Sequence, residues 1–327
     1  MNNRKLSSKL YAVGIGAANL DIYGKTSLPI KEHYDHPGTI YATAGGVTRN
    51  VCENLANLGT DIKLISAIGD DFFGKMIIGL SEEAKIDMSN IIRVKNCSSA
   101  AFMQVQDKNN DMHLAICDMS INKNITVSFL KTKTKLLKNA KLLIVDPSLS
   151  KEVIKYLCSL EVPLFLDTVS DFYAKKIIPY IKYIYTIKCN KTEAESITGI
   201  KIINKETLLK AANKILNKGC KRIYITLGRK GSFYIDKNES ILMKIKESKN
   251  VVNASGCGDA FFATVIYGYI KGYSNEETLK LALVFGKETL KAEGAINKNI
   301  TANKLNKLKK GEKYEKLREL SFNRWWN

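Results

Sequence analysis

The feature that most constrains this chain is an alternation. Short, strongly apolar β-branched runs at residues 11–15, 62–66, 142–145, 164–166, 183–187 and 222–226 are separated by segments of helical period at 47–58, 74–84, 151–160, 193–198 and 205–218. A run that is apolar on both faces suits a strand buried on both sides, as in a parallel sheet. Parallel neighbours need crossover connections, and the helical segments supply them. The expectation is an α/β fold with helices on both faces of a parallel sheet.

Length and composition agree with one such domain. The chain has 327 residues, of which 45% are hydrophobic and 25% charged, enough for a large core and unlike a disordered chain. Its 51 Lys+Arg against 32 Asp+Glu leave a net charge of +19. Such an excess suits nucleic acid, an anionic surface or an anionic small ligand. The lysines are spread along the whole chain, with no arginine-rich block and no basic stripe interleaved with aromatics, so a nucleic-acid surface is disfavoured. An anionic nucleotide would profit from the same field. Cysteines 52, 97, 117, 158, 189, 220 and 257 form no C-x-x-C pair, which argues against a disulfide framework and for a reducing cytoplasm. His33, His36 and His113 lack metal-ligand spacing. The basic first ten residues run into Gly14 and Gly16 without an apolar signal core, and the longest apolar run, 261–270, is too short to span a bilayer. A soluble protein is expected.

Two stretches break the alternation. Residues 22–44 scatter Gly, Pro and Thr without helical period, and 98–118 read as two strands joined by Asp107-Lys108-Asn109-Asn110-Asp111, a good hairpin joint. They predict a small β appendage to a main domain at 9–300, placed where it could cover a site; an ordinary edge hairpin fits the pattern equally well. A second hairpin, 231–235 with 241–245, lies further on. Residues 301–327 form a lysine-rich tail ending in Trp325-Trp326, read as a surface helix or an arm.

Two glycine-rich strings are decoys. Gly14-Ile15-Gly16-Ala17-Ala18-Asn19 opens like a dinucleotide fingerprint, but Asn19 replaces the third glycine and no amphipathic helix follows. Gly69-Asp70-Asp71-Phe72-Phe73-Gly74-Lys75 has P-loop spacing, yet Met76 stands where a metal-binding hydroxyl is required, and two aspartates would repel phosphate.

The chemistry concentrates at Asn253-Ala254-Ser255-Gly256-Cys257-Gly258-Asp259, ahead of an apolar, small-residue helical pattern at 260–270. Gly256 and Gly258 allow a tight turn and leave its amides unshielded; with a helix dipole behind them these form an anion site. A phosphoryl group in transfer accumulates charge on its oxygens and needs such donors. Asp259 can then accept the proton of a hydroxyl aligned with that phosphate, although a bare Gly-x-Gly-Asp reads as readily as a helix cap. Near the other end, Ala44-Gly45-Gly46-Val47-Thr48-Arg49-Asn50 opens an amphipathic helix closed by Gly59. The glycine pair permits close backbone approach to a ligand, and Asn50 can both donate to and accept from a hydroxyl. A glycine-capped core helix, with Arg49 as a solvated residue, explains the same string.

Together these segments resemble the two signatures of the ribokinase-like (PfkB) carbohydrate and nucleoside kinases. Asn19 and Asp21 after the first strand, Asn190-Lys191-Thr192-Glu193 and Thr226-Leu227-Gly228-Arg229-Lys230-Gly231 extend the match, in the family's order, over residues 11 to about 300. The resemblance implies a ribokinase-like three-layer sandwich on a parallel sheet, with the β appendage as a lid that excludes water. It implies Asp259 as catalytic base, Gly256, Cys257 and Gly258 as the phosphoryl anion hole, and Asn19, Asp21, Gly45, Gly46 and Asn50 as the acceptor grip. Asn190, Thr226, Gly228 and Gly231 fall on the nucleotide side, with Glu193 organising Mg²⁺ through water; Asn190 as a helix cap with Glu193 three residues on is equally good local physics.

ATP and Mg²⁺ are the implied cofactors, dependence on K⁺ cannot be inferred, and lids of this family often pair across a homodimer. Asn253, Ser255 and Cys257 depart from the usual Asp, Thr and smaller residue. Within the family, Gly16-Ala17-Ala18-Asn19-Leu20-Asp21, Pro37-Gly38-Thr39-Ile40 and Asp167-Thr168-Val169-Ser170 look most like pseudouridine kinases. The implied reaction is transfer from ATP to the 5′-hydroxyl of pseudouridine, with ribose, fructose or a purine nucleoside as alternative acceptors. The alternative from another class is a non-catalytic basic protein that binds nucleic acid, against which the Gly-Cys-Gly-Asp turn speaks.

Overall fold

In chain order the strands of this computed structural model, which describes residues 11–108, 111–248 and 250–317, are β1 (Tyr11–Ile15), β2 (Asn19–Thr26), β3 (Gly38–Gly45), β4 (Asp61–Ile65), β5 (Ala67–Gly69), β6 (Ile92–Val94), β7 (Ala101–Gln106), β8 (Met112–Asp118), β9 (Leu143–Val145), β10 (Leu164–Asp167), β11 (Thr186–Asn190), β12 (Arg222–Thr226), β13 (Ser232–Asp236), β14 (Ser240–Ile245) and β15 (Tyr314–Leu317). The main sheet has the order β15-β14-β13-β12-β11-β10-β9-β1-β4. From β4 to β12 all neighbours are parallel, and β13 to β15 are added antiparallel. All six runs expected to be parallel strands occupy this parallel part.

Side-chain alternation along these strands separates two cores. Val13, Ile15, Leu143, Val145, Leu164 and Leu166 pack on one face with the helices Lys151–Cys158, Lys191–Thr198 and Lys205–Leu216. Ala12, Leu64, Ile144, Phe165 and Tyr224 pack on the other with Val47–Asn57, Cys257–Lys271 and Asn275–Thr289. The result is a three-layer α/β sandwich, and each fully buried Leu or Phe stabilises it by about 1.5–3 kcal/mol.

A second sheet, β3-β2-β7-β8, stands apart. Its two hairpin-like halves, β2 with β3 and β7 with β8, are joined by parallel pairing of β2 with β7. The strands begin and end differently from the expected 22–44 and 98–118. β2 starts at Asn19 and β3 runs to Gly45, so the appendage grows directly out of the expected acceptor residues. The joint of β7 and β8 is closed by Asp107 and Asp111, whose backbone groups bond at 3.0 Å; Asn109 and Asn110 lie outside the described residues.

The tail continues the fold. Thr301 caps the helix Ala302–Gly311, Leu305 on it is buried, and β15 pairs with β14. Trp325 and Trp326 lie outside the described residues. Among the described residues all seven cysteines are free, and no helix is long and apolar enough to cross a membrane.

Candidate active site

Open parallel sheets bind ligands beyond the carboxyl ends of their strands, where chain turns and helix N-termini converge. Here Asp146 follows β9, Asp167 ends β10, Lys188 and Asn190 end β11, and Thr226 ends β12. The helices Val47–Asn57 and Cys257–Lys271 pack against each other on one face, which brings the two glycine strings to the same edge.

At the acceptor end the side chains hold one another. The Asn50 amide donates to Asp259 Oδ2 at 2.9 Å, a contact across 209 residues of sequence. Asn19 Nδ2 donates to Asp21 Oδ1 at 2.5 Å, and the Tyr23 hydroxyl donates to Asp21 Oδ2 at 3.4 Å. All four residues Asn19, Asp21, Asn50 and Asp259 are buried. Burial raises the Asp21 carboxyl to about 6 against the opposing bonds from Asn19 and Tyr23. Burial, then repulsion from Asp167, raises Asp259 to about 7, while the Asn50 bond and Lys188 pull it down and Asp21 adds to the rise. A base poised near neutrality is well matched to taking a hydroxyl proton.

The glycine pair does a job that the string alone does not reveal. A β-carbon on Gly45 would overlap the Asp21 carboxylate, and Gly46, at φ 96°, would meet the Ala17 carbonyl at 2.5 Å and Asn19 Oδ1 at 2.9 Å. The pair therefore makes room for the acceptor side chains themselves. Arg49 is not solvated, which sets aside that alternative reading of the string. It is buried, ion-paired to Glu53 at 2.5 Å, and bonded to Ser81 Oγ and the Ala44 carbonyl at 3.1 Å each, so it fixes the end of β3 to the helix Phe72–Glu83.

The rejected strings resolve in the same way. A β-carbon on Gly16 would strike Asp146 and Thr48, and Asp71 caps the helix that contains Gly74.

At the second glycine turn, Gly256 has φ 76° and no side chain caps the helix that follows, the arrangement in which helix N-termini can bind anions. A β-carbon on Gly256 would run into the Ala295 carbonyl. The Cys257 thiol is raised to about 12 by burial and then by Asp259, so it stays protonated and this residue offers its amide rather than a thiolate. Cys257 and Gly258 line a cleft of about 480 Å³ with Thr226, Gly228, Gly231 and Phe261. A second cleft, of about 650 Å³, is lined by Lys25, Tyr41, Gln104 and Gln106 of the lid and by Asn253 to Ser255. The two clefts share Val251 and Ala254. Asn19, Asp21, Asn50 and Asp259 lie below the surface, none more than 9% exposed.

Asn190 lies opposite Thr226 across β11 and β12, at the ends of both strands. It caps the helix Lys191–Thr198 in a capping box with Glu193. Glu193 is buried and takes bonds from Thr168 Oγ1, the Asn190 amide N–H and Asn190 Nδ2 at 2.6, 2.7 and 2.8 Å. Burial and the Asp167 charge raise its carboxyl. With three bonds already taken, Glu193 does not fit as a direct metal ligand, and no cluster of three His, Cys, Asp or Glu among the described residues is arranged to hold a metal. The donor set fits only a cation that arrives with the nucleotide and keeps its water.

The pfkB family carbohydrate kinase profile matches residues 9–302. The chain belongs to the pfkB family. This pfkB kinase is 30% identical to the uncharacterized sugar kinase YeiI of Escherichia coli K12 over 89% of its own length and 81% of that protein. It is 28% identical to the pseudouridine kinase of the same organism over 90% and 95%. A ribokinase of Arabidopsis thaliana, solved with ribose and ATP, superposes with a TM-score of 0.79 at 22% identity, covering 92% of this chain and 98% of that one. Family and fold agree with the motif reading, and the chain is a phosphotransferase of sugars or nucleosides.

Sequence reasoning gave no site role to Asp146 or Lys188, and quoted Asp167 only within a string that resembles pseudouridine kinases. Asp146 accepts from the Ala17 amide at 2.9 Å and from Thr48 Oγ1 at 2.6 Å, locking the loop after β1. Its signal was available, because an aspartate straight after a buried strand seldom lacks a structural or functional partner.

Proposed function

We propose that this kinase transfers the γ-phosphoryl group of ATP to the 5′-hydroxyl of pseudouridine. The observation that carries the reaction type is the Asn50–Asp259 bond, which joins the acceptor side chains to the uncapped glycine turn. In this reading the hydroxyl displaces the Asn50 amide at Asp259, Asp259 takes its proton, and the amides of Gly256, Cys257 and Gly258 bind the transferring group in line. Asn19, Asp21 and Asn50 grip the ribose hydroxyls. Thr226, Gly228, Gly231 and Asn190 receive the nucleotide. Mg²⁺ arriving with the nucleotide would supply charge neutralisation, and Glu193 would help hold it through water. The acceptor groups are covered here, so the lid opens for entry and closes to exclude water.

Pseudouridine is supported by the 28% identical relative and by the lid cleft. The uracil edge of that nucleoside alternates carbonyl acceptors with N–H donors, and the amides of Gln104 and Gln106 offer both. A free sugar is the second reading, favoured by the likeness to YeiI, a sugar kinase. ADP release measured over pseudouridine, uridine, inosine, ribose and fructose tests the choice. The expected result is the highest kcat/KM with pseudouridine, and a higher value with a free sugar would replace it. The outer lid face, with exposed Ile40, Met103, Leu114 and Ile116, is the surface through which two copies would pair, giving a dimer in sedimentation.

A further inference from the structure

Lys188 lies on β11 directly opposite Asp167 on β10, and the two form a buried ion pair at 2.9 Å. Its ammonium also stands just behind the glycine turn, 2.9 Å from where a β-carbon on Gly258 would be. Lysine is almost never buried unless paired, and one carboxylate would satisfy that need. This lysine serves more than one. Burial works against its charge, yet Asp167, Glu193 and Asp259 together hold it well above the usual lysine range.

We propose that Lys188 is a positioning residue that places a fixed positive charge behind the phosphoryl turn, stabilising the anion formed there and keeping Asp259 ionised. The proposal rests on the reading of Asp259 as base and of Gly256–Gly258 as the phosphoryl site. The absence of a side chain at Gly258 then has a second purpose, since a methyl group would push the ammonium away. The groups that set the state of Asp259 are Lys188 from β11, Asp167 from β10, Asp21 from β2, Asn50 from the Val47–Asn57 helix and Cys257 from its own helix. Removing Lys188 takes away the one positive member of that set.

The test compares Lys188→Met, Lys188→Arg, the double variant Asp167→Asn with Lys188→Met, and Asp259→Asn, each checked for melting temperature. Lys188→Met should lose about 10²–10³-fold in kcat, as removal of one preorganised donor does, with little change in acceptor KM. The acid limb of its kcat/KM profile should move to higher pH, because Lys188 lowers the Asp259 pKa. Arg should restore part of kcat. The double variant should regain melting temperature without regaining kcat, and it decides the matter if the single variant does not fold. Wild-type turnover in the folded double variant, or an unmoved acid limb in a folded Lys188→Met, would show that the lysine merely neutralises Asp167. If Asp259→Asn is inert while Lys188→Met is fully active, only this inference fails; if both are fully active, the site assignment fails as well.

Discussion

At the proposed acceptor end of the site, Asp21, Asn50 and Asp259 are buried side chains bonded into chains of contacts, whereas at the proposed nucleotide end Gly228, Gly231 and Gly258 line a cleft. The difference teaches how each end achieves its chemistry. A buried carboxylate acquires an unusual pKa because water cannot screen it, so the acceptor end gains reactivity from enclosure. A backbone amide needs no such tuning, and the nucleotide end gains by leaving donors uncovered. Substitutions should therefore act through charge at one end and through shape at the other.

The largest effect is expected for Asp259→Asn, which keeps shape and removes the proposed base. It should lower kcat by about 10²–10⁴-fold in the ADP-release assay. The same substitution should raise the melting temperature, and more at pH 8 than at pH 5. Asp259 has a folded pKa of about 7, raised above its usual value, so its contribution to stability is present at low pH and is lost as pH climbs through about 7. For the same reason the wild-type kcat/KM should rise with pH through an acid limb near 7.

Next comes Arg49→Met, which strands Glu53 in the core. Leaving a buried partner unpaired costs about 3–5 kcal/mol in denaturant unfolding, and adding Glu53→Gln should recover part of it.

At the nucleotide end, Gly256→Ala should cost about 10²–10³-fold in kcat, because the new β-carbon cannot share space with the Ala295 carbonyl and the turn must move. Gly228→Ala has nothing in its way and only a left-handed backbone to resist, so it should lose roughly 1 kcal/mol of stability. Equal kinetic damage from both would erase the shape argument.

The smallest effect is set for Gln104→Ala. It should raise KM for pseudouridine several-fold, the worth of about one hydrogen bond, and leave ribose unaffected.

The buried sheet was legible in the sequence because a short run apolar on both faces is stable only between two covering layers, and six such runs demand one wide sheet. The exception in position is β11, expected at 183–187 and found at Thr186–Asn190. Its polar residues have partners of their own, Lys188 in Asp167 and Asn190 in the cap of the next helix, and Tyr183 belongs instead to the 3₁₀ stretch Lys175–Tyr183. The glycine strings marked both ends of the proposed site, but at one of them the cause is different. Gly45 reads as a door for ligand and proves to be room for Asp21. Arg49 and Lys188 were hidden for one physical reason: a charge is taken as solvated until its partner is known, and Glu53, one turn on, reads as the outer face of the same helix, while Asp167 lies on another strand. The helix Asn275–Thr289 also escaped notice, although it buries Leu279, Leu281, Val284 and Phe285.

The docking of β15 onto β14 has a practical consequence for where this kinase can be shortened. The family match ends at residue 302, which invites a cut there. Such a cut would strip β14 of its neighbour and bare a row of unpaired amides and carbonyls, an invitation to strand-to-strand sticking between molecules. It would also sever the links from Lys309 to Glu277 and from Glu312 to Lys287 that moor the last helix. β15, bearing the exposed Glu315 and Lys316, acts as a hem on the sheet, and trimming it should raise the tendency to precipitate.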